Sequence, residues 1–195
     1  MSQLPTQQTL HGEPSHGQPT GHKSASTEEH RAQSPDVAAC FVLTVSDTRT
    51  LETDKGGALI EELLSDAGHK ITAREVVRDE SALIVDAVQN AMNGVSRPDA
   101  ILVTGGSGIS SRDVSPEALK PLLTKEMPGF GEVFRMLSWE EVGPATMLSR
   151  AFAGVIGGTL LFVLPGSTNA VRLAMEKLIV PELGHLVREA NTRNE

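Results

Sequence analysis

The stretch Ala100-Ile101-Leu102-Val103-Thr104-Gly105-Gly106-Ser107-Gly108, followed by Arg112-Asp113-Val114-Ser115-Pro116-Glu117, reads as a buried strand that enters a glycine loop and returns through a helix start. An apolar run without alternation fits a strand of a parallel sheet covered on both faces. Three glycines within four residues let backbone amides approach a ligand, and an acid close behind can hold a cation beside it. Ser115 supplies a capping hydroxyl, and Pro116 occupies the first turn without losing a needed hydrogen bond.

The same alternation extends in both directions. Upstream, Cys40-Phe41-Val42-Leu43-Thr44-Val45 is a second apolar run ending in Ser46-Asp47-Thr48-Arg49. Leu59, Ile60, Leu63, Leu64 and Ala67 recur at helical spacing before Gly68. Ile71 to Val77 reads as a less apolar strand nearer a sheet edge, closed by Arg78-Asp79-Glu80, and Leu83, Ile84, Ala87, Val88 and Ala91 mark another helix stopping near Gly94. Downstream, the pattern predicts a helix from Ser115 to about Thr124, a break at Pro128-Gly129, and a helix from Phe130 to Trp139. An interruption at Gly143-Pro144 and a short helical turn over Thr146 to Phe152 follow. Gly154 to Leu164 reads as a strand or hairpin arm followed by a central strand, then the loop Pro165-Gly166-Ser167-Thr168-Asn169. A helix from Val171 to Val180 precedes a second one starting at Pro181. Strands alternating with helices predict a three-layer α/β/α sandwich with a mostly parallel central sheet.

Composition limits what such a domain does. The chain has 195 residues, 17 Lys plus Arg against 25 Asp plus Glu, and a net charge of -8. That balance argues against a long nucleic-acid or anionic-membrane footprint, and 3% aromatics with no Tyr removes the usual stacking platforms for single strands. No run of about 18 apolar residues spans a membrane. The single cysteine, Cys40, has no intramolecular disulfide partner and reads as a buried structural thiol, so the expected compartment is the cytoplasm. Residues 1–36 are rich in Gln, Pro, Gly, Ser, Thr and His and read as a disordered polar arm, with residues 37–195 as the folded domain. His11, His16, His22 and His30 on that arm are irregularly spaced, which fits a solvated arm better than a metal tract.

Open α/β sheets bind ligands outside the carboxyl ends of their strands. Those ends carry Ser46, Asp47 and Thr48, then Arg78 and Asp79, then Thr104 to Asp113, then Pro165 to Asn169. The glycine loop Thr104, Gly105, Gly106, Ser107 and Gly108 matches neither a nucleoside-triphosphatase phosphate loop nor a dinucleotide fingerprint; it reads as a cradle for phosphate or a polar heteroaromatic ring, or as a tight turn. Asp113 reads as a cation ligand or a local turn acceptor. Asp79 reads as its partner in holding Mg2+, or as a residue favouring a helix N-terminus. Asp54-Lys55-Gly56-Gly57 is either a helix entrance or a phosphate contact through Lys55 and the adjacent amides. Ser167 and Asn169 recognise ring edges, cap the next helix, or both.

Residues from about Phe41 to Val187 resemble the family of molybdenum cofactor biosynthesis protein B and molybdopterin adenylyltransferase, shared with gephyrin-like G-domains. The resemblance is carried by Thr44 to Arg49, Asp54 to Gly57, Thr104 to Pro116, Pro128-Gly129-Phe130-Gly131-Glu132-Val133-Phe134-Arg135, and Leu164 to Ala170. It implies a molybdopterin-binding-domain-like fold assembling as a homo-trimer or hexamer. It also implies Mg-ATP-dependent adenylylation of molybdopterin, releasing pyrophosphate and passing adenylyl-molybdopterin to a molybdate-inserting partner. Thr104 to Gly108 then correspond to the pterin-side loop, Asp79 and Asp113 to the acids that position Mg-ATP and serve catalysis, and Ser46, Asp47, Ser167 and Asn169 to the cleft lining. The chain departs from the family pattern at Gly56, where serine is common, at Ser107, where threonine is common, and at Thr168, where proline is common. Asp79 and Asp113 favour an enzyme, while Gly56 keeps open a non-catalytic molybdopterin-binding or scaffold protein of the same pathway. A third reading is an unrelated phosphate-binding module.

Overall fold

Alternate residues of the central strands point into two different cores, as the period of two requires. Cys40 and Val42 of β1 (Ala39–Val45), Ala100 and Leu102 of β3 (Ala100–Thr104), and Leu160, Phe162 and Leu164 of β6 (Thr159–Leu164) join one core. Phe41, Leu43, Val45, Ile101, Val103, Leu161 and Val163 join the other. The structure, a computed structural model, describes residues 37–192; the expected polar arm with its four histidines lies outside them.

Each core is closed by helices. Leu59, Ile60 and Leu64 of α1 (Lys55–Asp66) pack on the first face, as do Phe130 and Phe134 of α4 (Pro128–Val142). Leu183 and Val187 of α6 (Val180–Asn191) and Val171 and Ala174 of α5 (Thr168–Ala174) complete that core. Ile84, Ala87 and Val88 of α2 (Ser81–Asn93), with Ala118 and Leu119 of α3 (Ser115–Leu119), cover the second. The result is the three-layer α/β/α sandwich that the alternation predicts. Its sheet runs β2-β1-β3-β6-β5-β4, with β2 (Lys70–Val77), β1, β3 and β6 parallel. On the far side β5 (Phe152–Ile156) runs antiparallel to β6, and the two-residue β4 (Lys125–Glu126) runs antiparallel to β5. The less apolar β2 is indeed an edge strand, and all of its residues stay exposed or half-buried.

Several boundaries differ from the sequence reading, each for a local reason. Pro128 and Gly129 form the first turn of α4, where a proline without an N–H is well placed. The helix from Ser115 stops at Leu119 and tightens into a 3-10 turn at Lys120–Leu122. The turn after α4 is a 3-10 segment at Gly143–Leu148, and Phe152 belongs to β5. The C-terminal helix runs without a break from Thr168 to Asn191 through a π turn at Met175–Ile179, closed by the Val180 N–H donating to the Met175 carbonyl. Pro181 cannot donate to the helical ladder and its ring crowds the preceding turn, and the wider π turn takes up that misfit.

Phe162 is 1% exposed, with its ring edge-on to Phe130 at 5.3 Å between centroids. Phe162→Ala therefore costs about 3–5 kcal/mol of stability through lost contact and a residual cavity. Denaturant unfolding at fixed protein concentration reads that loss; a change under about 1 kcal/mol would contradict this account of the core.

Candidate functional site

β1, β3 and β6 lie side by side, and in their register Thr44 stands level with Thr104, and Thr104 with Leu164. The helices that follow them leave on alternate faces, α1 and α5 on one and α3 on the other. The loops after these strands therefore diverge and leave a crevice, as doubly wound sheets do at a switch point. A cleft of about 630 Å³ opens there.

The glycine loop is shaped from beneath. Thr104, fully buried, donates its hydroxyl to the Pro165 carbonyl at 2.9 Å, and the Gly105 amide donates to the Leu164 carbonyl at 3.1 Å. Gly105 sits at φ +100° against the Val45 carbonyl oxygen, which leaves no room for a Cβ. Gly106 sits at φ +61°, where a Cβ would stand 2.9 Å from both carboxylate oxygens of Asp79. Both positions require glycine for conformation and for space. Ser107 Oγ donates to the Leu164 carbonyl at 3.2 Å, so this hydroxyl holds the loop in place. Ser115, expected as a helix cap, instead donates its buried hydroxyl to the Gly105 carbonyl at 2.9 Å while its N–H reaches the Gly106 carbonyl. The capping assignment is corrected: α3 already includes Ser115, and its hydroxyl clasps the loop.

The acids meet around this loop. Asp79 is 8% exposed; its Oδ1 accepts the Val114 N–H at 3.2 Å, and its own N–H donates to Asp47 Oδ1 at 3.2 Å. Burial pushes the Asp79 carboxyl above its ordinary value, and repulsion from Asp113 and Asp47 adds to that against the Val114 N–H and Arg112. Asp113 accepts the Ser110 N–H at 2.8 Å, the turn role anticipated for it, and also lines the cleft. Asp47 receives two nitrogens of Arg112 at distances of 2.8 to 3.1 Å, and this bidentate guanidinium holds its carboxyl below the usual range. Among the described residues no group of three or more His, Cys, Asp or Glu could hold a metal. Asp79 and Asp113 both line the cleft, so the carboxylates expected to share a cation open onto the same space.

Ser46, Asp47, Gly105, Gly106, Ser107, Gly108, Asp79, Asp113, Ser167 and Asn169 all line the one cleft. Ser46 Oγ accepts the Thr48 and Arg49 amides, and Ser167 caps α5 by accepting the Ala170 N–H at 3.3 Å. Thr104 lies just beneath the lining. Lys55, Gly56 and Gly57 are not brought to the cleft wall. Lys55 is exposed at the start of α1, and the Gly57 amide donates to the capping carboxylate of buried Asp54 at 2.9 Å. The helix-entrance reading describes what is seen there.

Besides Arg112, which lines the cleft beside Asp47, two further arginines escaped the sequence reading as site residues. Arg49 lines the cleft and donates to the Gly166 carbonyl at 3.2 Å. Arg150 donates its backbone N–H to the Ser107 carbonyl, its Nε to the Gly108 carbonyl at 2.7 Å and an Nη to the Asp113 carbonyl at 2.9 Å, and it pairs with Glu117. The only signal for Arg49 is its place beside Asp47; Arg150 carries none, because it reaches the loop from 42 residues away. The opposite wall comes from α4 and the turn after it, including Phe134, Val142, Thr146 and Leu148.

Comparison with known proteins finds a family that spans most of the described residues. Residues 41–185 match the family described as "Probable molybdopterin binding domain". Molybdenum cofactor biosynthesis protein B of Bacillus subtilis (strain 168) is 54% identical over 166 residues, covering 84% of this chain and 96% of that protein. A crystal structure of a molybdenum cofactor biosynthesis protein B aligns with a TM-score of 0.79 at 50% identity, covering 83% of this chain and 100% of that one. The crystal structure of the tungsten cofactor synthesizing protein MoaB from Pyrococcus furiosus aligns with a TM-score of 0.74 at 40% identity, covering 81% and 99% of the two chains.

A raised carboxyl value has a definite consequence for stability. Between the ordinary value of 3.8 and the raised one, the folded state holds more protons than the unfolded state, so stability falls as pH rises through that window. Asp79→Asn removes the buried charge and keeps an oxygen for the Val114 N–H. The ligand-free variant should melt above the parent at neutral pH, with the gap closing as pH falls toward 3.8. Equal melting temperatures across that range would refute the desolvated carboxylate.

Proposed function

The chain belongs to the molybdenum cofactor biosynthesis protein B family, and from that membership we propose that it catalyses Mg-ATP-dependent adenylylation of molybdopterin. The observation that carries the reading is the buried Asp79, its carboxyl pushed above the ordinary range by burial, packed against Gly106 in the same cleft as Asp113, Arg49 and Arg112. A carboxylate kept short of solvent gains most when a cation arrives with a substrate, and perturbed acids in a cleft mark functional sites.

The terminal phosphate oxygen of molybdopterin attacks the α-phosphorus of ATP, a new P–O bond forms, and the bond to the β-phosphate breaks with its electron pair leaving on pyrophosphate. Such transfer depends on positioning and charge compensation more than on a covalent protein intermediate. The glycine loop fixes the pterin end, Asp79 and Asp113 hold the cation, and Arg49 with Arg112 offers guanidinium donors to phosphate oxygens. Magnesium, when bound, offsets the charge that builds on the transferring group. Gly56 removes a family hydroxyl near Arg49, whose Nη1 lies 3.4 Å from where a Cβ would stand.

A second reading, molybdopterin binding without transfer, is favoured by the commitment of the Gly57 amide to Asp54 and by the position of Lys55 outside the cleft. In either case we place the protein in the cytoplasm as a homo-trimer or hexamer that hands its pterin to a molybdate-inserting partner. Exposed Met136, Trp139, Val142 and Met147 on α4 and its following turn support self-association. Among the described residues no helix is long and apolar enough to cross a membrane.

Purified protein incubated with Mg-ATP and molybdopterin should yield adenylyl-molybdopterin and pyrophosphate. Asp113→Asn should lower the turnover rate at saturating substrate roughly 10²-fold, equal to about 2.7 kcal/mol of transition-state stabilisation. An unchanged rate would remove Asp113 from the chemistry, and tight molybdopterin binding without product would decide for the second reading.

A further inference from the structure

The wall built by α4 and the segment Gly143–Leu148 is apolar where Phe134, Val142 and Leu148 face the cleft. Its other hydroxyls are engaged: Ser138 Oγ donates to the Phe134 carbonyl at 2.8 Å, and Ser149 Oγ accepts the Ala151 N–H at 3.3 Å. Thr146 is the exception. It lines the cleft and is 7% exposed, and its Oγ1 is the one buried side-chain polar atom without a hydrogen-bond partner among the described residues. An unmet buried hydroxyl of this kind is costly to the free protein, so its persistence calls for a use.

We infer that Thr146 is a specificity contact, turning its hydroxyl onto the hydrogen-bonding edge of the bound pterin; this rests on the molybdopterin reading above. The link to the pterin end is geometric. The Arg150 N–H donates to the Ser107 carbonyl at 3.1 Å, which seats the segment carrying Thr146 against the glycine loop. A threonine exchanges its hydroxyl and methyl by one rotation about χ1, and both rotamers are populated in helical backbone. The ligand that satisfies this wall is a flat ring with one polar edge: its face meets the apolar side chains and its edge meets Oγ1. Burying a ring edge without that hydroxyl leaves one polar group of the ring unpaired.

The test uses the full chain with molybdopterin and, separately, Mg-ATP as titrants. Thr146→Val keeps the shape and removes the hydroxyl, Thr146→Ala removes it with less bulk, and Thr146→Ser retains it. The inference expects molybdopterin Kd to rise about tenfold in the Val and Ala variants and to stay near the parent value in the Ser variant, with ATP affinity unchanged in all three. It also expects ligand-free Thr146→Val to melt no lower than the parent, since a methyl replaces an unsatisfied oxygen. Parent-like molybdopterin binding by Thr146→Val and Thr146→Ala overturns the inference and leaves the functional reading intact. A loss confined to ATP overturns it too, as does a lowered melting temperature with unchanged binding, which makes the hydroxyl structural. If the parent protein itself binds no molybdopterin, the functional reading fails and this contact fails with it.

Discussion

The site depends on the approach of the Asp79 carboxylate to the Cα of Gly106. Both carboxylate oxygens stand where a side chain at that position would begin, and Ser115 Oγ closes the same space from the other side. Backbone and carboxylate come this close only because Gly106 has no Cβ and adopts a positive φ. The approach takes Asp79 out of water and sets it beside two more acids. Its reluctance to ionise follows from the packing.

The surrounding hydrogen bonds keep that arrangement in place. Thr104 and Ser107 spend their hydroxyls on the carbonyls of Pro165 and Leu164, which binds the glycine loop to the loop after β6. Arg150 fastens the far side through the carbonyls of Ser107, Gly108 and Asp113. Asp47 and Arg112 bridge the loops after β1 and β3 at the exposed mouth. The loop is thus rigidly supported from beneath, with an exposed ion pair above it. The unmet Thr146 hydroxyl and the desolvated Asp79 both cost the ligand-free fold stability.

Most of the cleft was legible because parallel α/β sheets place their functional loops at strand ends, and the strands of this chain are marked by plain apolar runs. Asp47, Asp79, Asp113, Ser167 and the glycine loop were found that way and lie together. Lys55, Gly56 and Gly57 read as a phosphate contact from their place at a helix N-terminus, yet they lie outside the cleft lining and the cap at Asp54 engages the Gly57 amide. Arg150 and the α4 wall were invisible because they come from segments whose spacing speaks only of helix and turn.

The sequence by itself determined the layers and the order in which the glycine loop and the acids follow the strands, because strand burial and helical periodicity are local patterns. Tertiary structure alone decided which polar groups are spent and which remain. Ser115 became a clasp, Arg150 an anchor and Thr146 an unpartnered hydroxyl because each outcome depends on carbonyls or voids supplied by distant strands and helices. Local spacing carries no information about such partners; packing of the two faces onto one sheet brings them into reach.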